Sequence, residues 1–411
     1  MRNLKILIVC EHASNIFGGE AMLPLNYFRY LAKTQHEVYL ITHARVKTSV
    51  SKLADINQEN VFYIPDTAAH KFLNKCGNLL PERISILTVG FVMHLITQFY
   101  QWKLARNIVK EKEIDVIHEP APVSAVQPSA MFALGIPVVI GPMNGGMSFP
   151  IAFKHMAGKS ERILYHVIRV FSSIYNLLIP GKFFAKYLLV ANQRTHDALP
   201  KFRLGKVVEI VENGVFSVVD APKEASQPSV INVLFVGRLV DWKAIDILID
   251  AISQCQAPVK LTILGDGVLR SKLEQYAQRK APNKVLFLGL VSHAETNDYY
   301  DKADIFVLPS IRECGGAVVL EAMSRGLPVV ATAWGGPMDY ITNETGYLVE
   351  PQSREYMVEQ FSSIIDKLAL DPHLRYQLGQ AAIARIKQHF LWDKKTQEMI
   401  TIYKKVVGDL A

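Results

Sequence analysis

The chain has 411 residues, half of them apolar and 20% charged. This excludes a disordered polymer and exceeds what one hydrophobic core usually organises, so two domains are expected. The net charge of +7 lies wholly in the first half: residues 1–200 hold 21 Lys and Arg against 13 Asp and Glu, while residues 201–411 hold 24 against 25. That asymmetry turns the first half towards something anionic, phosphates or a membrane surface, and nucleic acid is disfavoured because no reading module is present.

Short apolar runs at Leu4–Cys10, Val38–Thr42, Val61–Ile64, Val116–His118, Val138–Gly141 and Tyr187–Ala191 read as buried parallel strands, with helical patterns such as Met22–Thr34 and Tyr100–Glu113 between them. The first run is too short for a secretory signal and is broken by Glu11 and His12. Residues 84–102 are apolar enough to sit at the lower edge of what a membrane span requires. Phe216–Val230, with Pro222 and Pro228 and no periodicity, reads as a hinge. Alternation resumes at Val233–Val236 and continues through Lys260–Leu264, Val285–Leu288, Ile305–Leu308 and Pro328–Ala331. The fold class is therefore α/β, with two doubly wound Rossmann-like domains and a ligand cleft between them at the carboxyl ends of the strands. Residues 1–200 form the first domain and 201–389 the second. Residues 390–411, with Leu391, Trp392, Ile402 and Tyr403, form a last helix expected to return to the first. Cys10, Cys76, Cys255 and Cys314 show neither pairing nor metal-ligand spacing, which fits a reducing cytoplasm; Cys314 is expected to be a small packing residue.

The chemistry gathers where strands hand over to helices. Gly18 and Gly19 follow the first strand. Gly237, Arg238 and Lys243 follow the strand Val233–Val236. Gly265 ends the next strand, and Leu290 follows Phe287-Leu288-Gly289. After Ile305–Leu308 come Glu313, Gly315, Gly316, Ala317 and Val318, with Glu321 eight positions beyond Glu313. Glycines at a helix start expose N–H groups that hold phosphate, and the helix dipole adds to the attraction. Glu321 lies about two turns into the helix, placing the carboxylates roughly 12 Å apart. That is too far for a paired acid/base site and suits two carboxylates gripping different sugars across a diphosphate. An ordinary Gly-turned αβ unit with two solvated glutamates would give the same spacing.

Glu313-x7-Glu321, followed by Gly326-Leu327-Pro328-Val329-Val330-Ala331, resembles the donor-site signature of the retaining glycosyltransferases of family 4, which have the GT-B fold. The resemblance covers most of residues 200–395. It implies that Glu313 contacts the transferred sugar, that Glu321 holds the ribose, and that Arg238 and Lys243 neutralise the diphosphate. Gly18, Gly19, Gly237, Gly265, Leu290, Gly315, Gly316, Ala317 and Val318 would line the donor site. Asn213-Gly214-Val215 matches at the domain junction; Gly335-Gly336-Pro337-Met338-Asp339 matches loosely; Ala244 stands where the family usually has Gly. Many relatives carry a histidine near the reacting carbon, whereas this chain reads Gly141-Pro142-Met143-Asn144 there. Asn144 and His118 are the acceptor-side candidates, with His12 behind them, and a buried structural role is the other reading of His118.

The expected function is a metal-independent, retaining transfer of a sugar from a nucleotide diphosphate to an acceptor hydroxyl, without a cofactor, and with a lipid-linked saccharide as the acceptor. Absence of an Asp-x-Asp pair near the cleft motifs carries the metal expectation. The alternatives are a sugar-nucleotide epimerase and a non-catalytic sugar-nucleotide-binding scaffold. Residues 71–110 carry +5 and residues 151–194 carry +6, both dense in aromatic and aliphatic side chains. Such segments lie on anionic bilayers, which places the protein in the cytoplasm, peripheral at the inner face of the membrane. A domain core with solvated lysines is the alternative.

Overall fold

The computed structural model describes residues 3–15, 19–80, 84–85, 88–121, 124–158 and 171–408. Two parallel sheets order the chain. The first contains β1 (Lys5–Val9), β2 (Glu37–His43), β3 (Val61–Ile64), β4 (Val116–Glu119), β5 (Val138–Met143), β6 (Tyr187–Val190) and β7 (Lys206–Glu209), in the order β3-β2-β1-β4-β5-β6-β7. The second contains β8 (Ile231–Val236), β9 (Val259–Leu264), β10 (Val285–Gly289), β11 (Ile305–Leu308), β12 (Val329–Thr332) and β13 (Gly346–Val349), in the order β10-β9-β8-β11-β12-β13. Each order reverses beside its first strand, at β1/β4 and at β8/β11. Such reversals open a crevice at the carboxyl ends of the strands. Central strands are apolar on both faces because helices cover both: Ile305, Phe306, Val307 and Leu308 have no exposed surface.

Two edge strands escape the apolar-run reading. Lys206–Glu209 is exposed at both ends, and Gly346–Val349 is half-buried in its middle. An edge strand needs only one packed face, so it leaves a weaker sequence signal.

The chain divides into two compact units, Met1–Gly146 with Gly158–Glu212 and Lys395–Ala411, and Met147–Ala157 with Asn213–Lys394. The division after the first sheet falls at 212/213, whereas composition placed it at 200/201. Residues 147–157, read as part of the first half, cluster with the second unit: Trp334 Nε1 donates to Ser148 O at 2.8 Å, and Arg312 lies over the Phe149 ring at 5.3 Å. In the first unit, the C-terminal helix Trp392–Gly408 contributes Tyr403, whose hydroxyl lies 2.7 Å from His118 Nδ1.

The helix Val89–Lys112 takes up most of the apolar stretch 84–102. Among the described residues no helix is long and apolar enough to cross a membrane. This helix buries polar groups. Gln98 Nε2 donates to Glu119 Oε1 at 2.7 Å, and Ser129 Oγ donates to Glu119 Oε2 at 2.5 Å. Lys182 is buried beside them, donating to Ser124 O and Ala125 O at 2.8 and 2.9 Å. Burial pushes the Glu119 carboxyl up to about 7 and the Lys182 ammonium down to about 7. For Glu119 the folded state binds more protons than the unfolded chain from its ordinary value of 4.5 up to about 7, so stability falls as pH rises through that window. Lys182 binds fewer protons when folded, so its contribution is regained only as pH rises above 7. Glu119→Gln keeps an acceptor for Gln98, and the Ser129 hydroxyl can reverse its role. We expect this variant to fold and to flatten the fall of Tm between about pH 5 and 7, measured by thermal melts across that range; an unchanged pH profile would show that Glu119 does not titrate there.

Candidate functional site

In the second unit, β11 runs into the loop Pro309–Gly316 and then the helix Ala317–Ser324. Gly316 caps that helix in the left-handed region, φ 64°, where a side chain would be strained and would also crowd the Glu313 stem. Val319, Leu320, Ala322 and Met323 are buried, and Val318 is half-buried. The first N–H groups of such a helix have no intrahelical acceptor and face the crevice end of the sheet.

Glu313 and Lys243 meet. Lys243 Nζ donates to Glu313 Oε2, and each side chain is only 14% exposed. Lys243 ends the short turn Asp241–Lys243 after β8, on the other side of the switch point. Ala244 follows in the left-handed region, φ 50°. A non-glycine residue held there costs about 1 kcal/mol, which is the physical reason a glycine suits this place. Arg238 is exposed at the same sheet end.

Backbone packs directly on backbone here. A Cβ on Gly335 (φ 79°) would overlap the Glu313 carbonyl oxygen, and Gly336 N donates to that oxygen at 2.9 Å. A Cβ on Gly336 would run into Gly315 O, and one on Gly265 (φ 131°) into Gly237 O. The Gly-Gly step loosely matched in the sequence thus fixes the Glu313 loop from beneath. Glu321 is held by a residue that motif reading missed: Tyr300, fully buried, donates its hydroxyl to Glu321 Oε2 at 2.9 Å. Burial and the neighbouring Glu321 raise the Tyr300 hydroxyl well above its ordinary value, so it stays a donor. Leu290 stands 80% exposed beyond β10. Cys314 corrects an expectation: it is exposed, and Gly315 and Gly316 are the residues that pack.

In the first unit, Gly18 lies outside the described residues, and Gly19 opens the helix Gly19–Ala32 with clear space where a Cβ would go. His118 is wholly buried. Its Nε2 donates to Gly141 O at 2.6 Å, its Nδ1 faces the Tyr403 hydroxyl, and burial pushes its imidazole down to about 4. Both nitrogens are engaged, which is the arrangement of a structural histidine. Asn144 is 4% exposed, and its Oδ1 accepts from Arg194 Nη2 at 3.2 Å. His12 is lowered to about 4 by burial and by Arg45.

The topology also gathers residues that the sequence left scattered. His43 ends β2, Asp66 follows β3, and His70 lies on the helix Ala68–Gly77; one ligand-type atom of each falls within 4.8 Å of the others. The imidazoles are in the wrong form to hold a cation through Nε2. Nδ1 of His43 accepts from Arg45 N at 3.2 Å, and Nδ1 of His70 accepts from Thr67 N at 3.3 Å, so each neutral ring carries its hydrogen on Nε2. Arg45 further engages Asp66 Oδ1 at 3.3 Å.

Two substitutions test this geometry. Gly335→Ala should displace the Glu313 loop, lower Tm by an amount equivalent to about 1–3 kcal/mol, and weaken binding of a nucleotide diphosphate sugar; thermal melts with and without ligand read both. Tyr300→Phe removes only the hydroxyl on Glu321 and should weaken the same binding by roughly tenfold or less, with the fold kept, as titration calorimetry would report.

Residues 220–385 match the family model of glycosyl transferases group 1. An uncharacterized glycosyltransferase of Methanocaldococcus jannaschii is 34% identical over 176 residues, 42% of this chain and 44% of that protein. A GDP-mannose-dependent monoacylated alpha-(1-6)-phosphatidylinositol monomannoside mannosyltransferase of Corynebacterium glutamicum is 31% identical over 175 residues, 40% of this chain and 45% of that protein. The matched stretches thus span less than half the length of these two relatives. The crystal structure of Anabaena HepE in complex with UDP and glucose superposes with a TM-score of 0.60 at 19% identity, over 98% of this chain and 100% of that one. The chain has the GT-B fold, and its residues 220–385 are similar to the glycosyl transferases of group 1.

Proposed function

We propose that this protein transfers a sugar from a nucleotide diphosphate sugar to an acceptor hydroxyl, with retention of anomeric configuration and without a metal ion. The observation that carries the reading is the contact between Lys243 and Glu313 beside the start of the helix Ala317–Ser324. A cation and a carboxylate paired at a helix N-terminus suit a ligand that brings both a diphosphate and sugar hydroxyls. The diphosphate would draw Lys243 and Arg238, and Glu313 would turn to the hydroxyls of the sugar. Charge on the diphosphate grows as its bond to the anomeric carbon breaks, so fixed cations and helix-start amides act most strongly at that moment. The acceptor oxygen bonds to the anomeric carbon on the face the diphosphate leaves, and the acceptor proton passes to the departing diphosphate oxygen. Glu321, held by Tyr300, would take the ribose.

The acceptor we favour is a lipid-linked saccharide, used on the cytoplasmic side of the membrane. The name of the Corynebacterium relative, which acts on a phosphatidylinositol mannoside, supports a lipid acceptor, and the UDP and glucose bound to Anabaena HepE support a nucleotide-sugar donor. A non-catalytic scaffold is the competing reading, favoured by the sequence Gly141-Pro142-Met143-Asn144 where a histidine is common.

A thermal-shift panel of UDP-, GDP-, ADP- and TDP-sugars, with and without EDTA, tests the donor. A ligand at a hundred times its Kd stabilises by about 2.7 kcal/mol, so one nucleotide sugar should shift Tm independently of EDTA. Glu313→Gln should keep that shift and lose turnover by about a hundredfold or more. Equal turnover in the variant would remove Glu313 from the chemistry, and a donor shift without turnover in the native chain would favour the scaffold.

A further inference from the structure

Two helices of the first unit are inside out, the longer of them over its first half. In Val89–Lys112 the buried stripe begins with His94, Thr97, Gln98 and Gln101, whereas Val92 and Phe99 stand 45% and 58% exposed. Leu95 and Ile96 lie half-buried between them, and Lys103, one turn beyond Phe99, is exposed. Three of these four inward polar groups are bonded: His94 Nε2 donates to Pro128 O at 2.9 Å, Gln98 serves Glu119 and Ala130 N, and Thr97 Oγ1 lies 3.2 Å from His70 Nε2, whereas Gln101 Nε2 is buried without a partner. Helical residues 171–178 repeat the pattern. Ser172 and Asn176 are buried, with Asn176 Nδ2 donating to Val126 O at 2.8 Å, whereas Phe171, Ile174, Leu177 and Leu178 are 51–76% exposed. A helix packed against a core in water normally does the reverse.

The outward apolar residues belong to adjoining elements. The rings of Phe91 and Tyr175 stand 5.2 Å apart, joining the two helices, and the His70–Thr97 contact adds the helix Ala68–Gly77. That third helix exposes Phe72 at 65%, and Leu79 just beyond it at 86%. Charge on these elements is almost all of one sign, Glu111 near the end of Val89–Lys112 being the exception. Residues 67–80, 88–110 and 171–186 contain no Asp or Glu, while Lys71, Lys75, Lys103, Arg106, Lys110 and Lys186 lie among them. Lys71, Lys75, Lys103, Arg106 and Lys110 are exposed. An exposed apolar surface of this extent is a docking site, and a predominantly cationic rim names the partner by complementarity.

We propose that this face, built from the helices Ala68–Gly77 and Val89–Lys112 and helical residues 171–178, seats the first unit on an anionic lipid bilayer, with Phe99, Ile174, Leu177 and Leu178 entering the acyl boundary and the lysines meeting headgroup phosphates. Nothing in it crosses the bilayer, in keeping with the lack of a spanning helix among the described residues. The inference stands apart from the sugar-transfer reading, because none of these residues belongs to the donor site.

Flotation of the full chain with vesicles of phosphatidylcholine plus phosphatidylglycerol, and of phosphatidylcholine alone, tests it. Binding to the anionic vesicles is expected, weakening in high salt, with little binding to the neutral ones. The double variant Leu177→Asp, Leu178→Asp should lower the bound fraction by about tenfold or more. It should leave Tm and the donor-induced thermal shift unchanged, because both side chains already face water. Lys71→Glu with Lys75→Glu provides a second set that leaves the apolar residues intact and should also weaken binding. Native chain that fails to float, or a double variant that floats as well as native, would overturn the proposal. So would a chain whose native mass by light scattering is a multiple that falls to the monomer in the double variant, since the face would then pair with a second copy. Loss of flotation together with loss of the donor shift would mark an unfolded variant, and the lysine set then decides the matter.

Discussion

The second unit depends on backbone lying directly against backbone at the carboxyl edge of its sheet. Gly335 and Gly336 take up the Glu313 carbonyl from below, and Gly265 closes on Gly237. No side chain fits between these segments, so the loop that bears Glu313 has one place to go. Interactions across it follow from that placement: Lys243 reaches Glu313 from the first β-α turn, and the helix Ala317–Ser324 begins where Gly316 turns left-handed. A site built this way is preorganised by covalent geometry and close packing, which resist change better than a set of mobile side chains.

Much of this was legible in the residues. Continuous apolar runs such as Ile305–Leu308 announce buried parallel strands, and a glycine pair between strand and helix announces a helix-start site. The edge strands Lys206–Glu209 and Gly346–Val349 were not legible, because charged ends in the first and a leading glycine in the second leave apolar runs of only two and three residues. The hold of Tyr300 on Glu321 was hidden for another reason: it joins positions on different helices, and no local pattern encodes it. The membership of residues 147–157 in the second unit was equally invisible, resting on Trp334 and Arg312 far along the chain. Composition found the apolar and cationic character of residues 71–110 but not its direction. Only burial shows that His94 and Gln98 point in while Val92 and Phe99 point out.

The first unit carries its polar groups in an unusual place. Glu119, Lys182, His94 and Gln98 are buried together and bonded, where a simpler core would be aliphatic. Buried polar networks of this sort add little net stability, but once fully bonded they leave few alternative packings. They also permit the inverted helices. An inward stripe whose polar groups are largely hydrogen-bonded releases the outward stripe from the need to be polar.

His118 and Tyr403 are 285 positions apart and share a buried hydrogen bond. During synthesis the strand β4, which carries His118, leaves the ribosome long before its partner exists. At ordinary elongation rates the gap is on the order of tens of seconds, and the whole 213–394 stretch of the second unit emerges inside it. The first unit therefore begins earliest and finishes last, its core open on one side until the final helix arrives. Order of birth and order of completion run in opposite directions along this polypeptide.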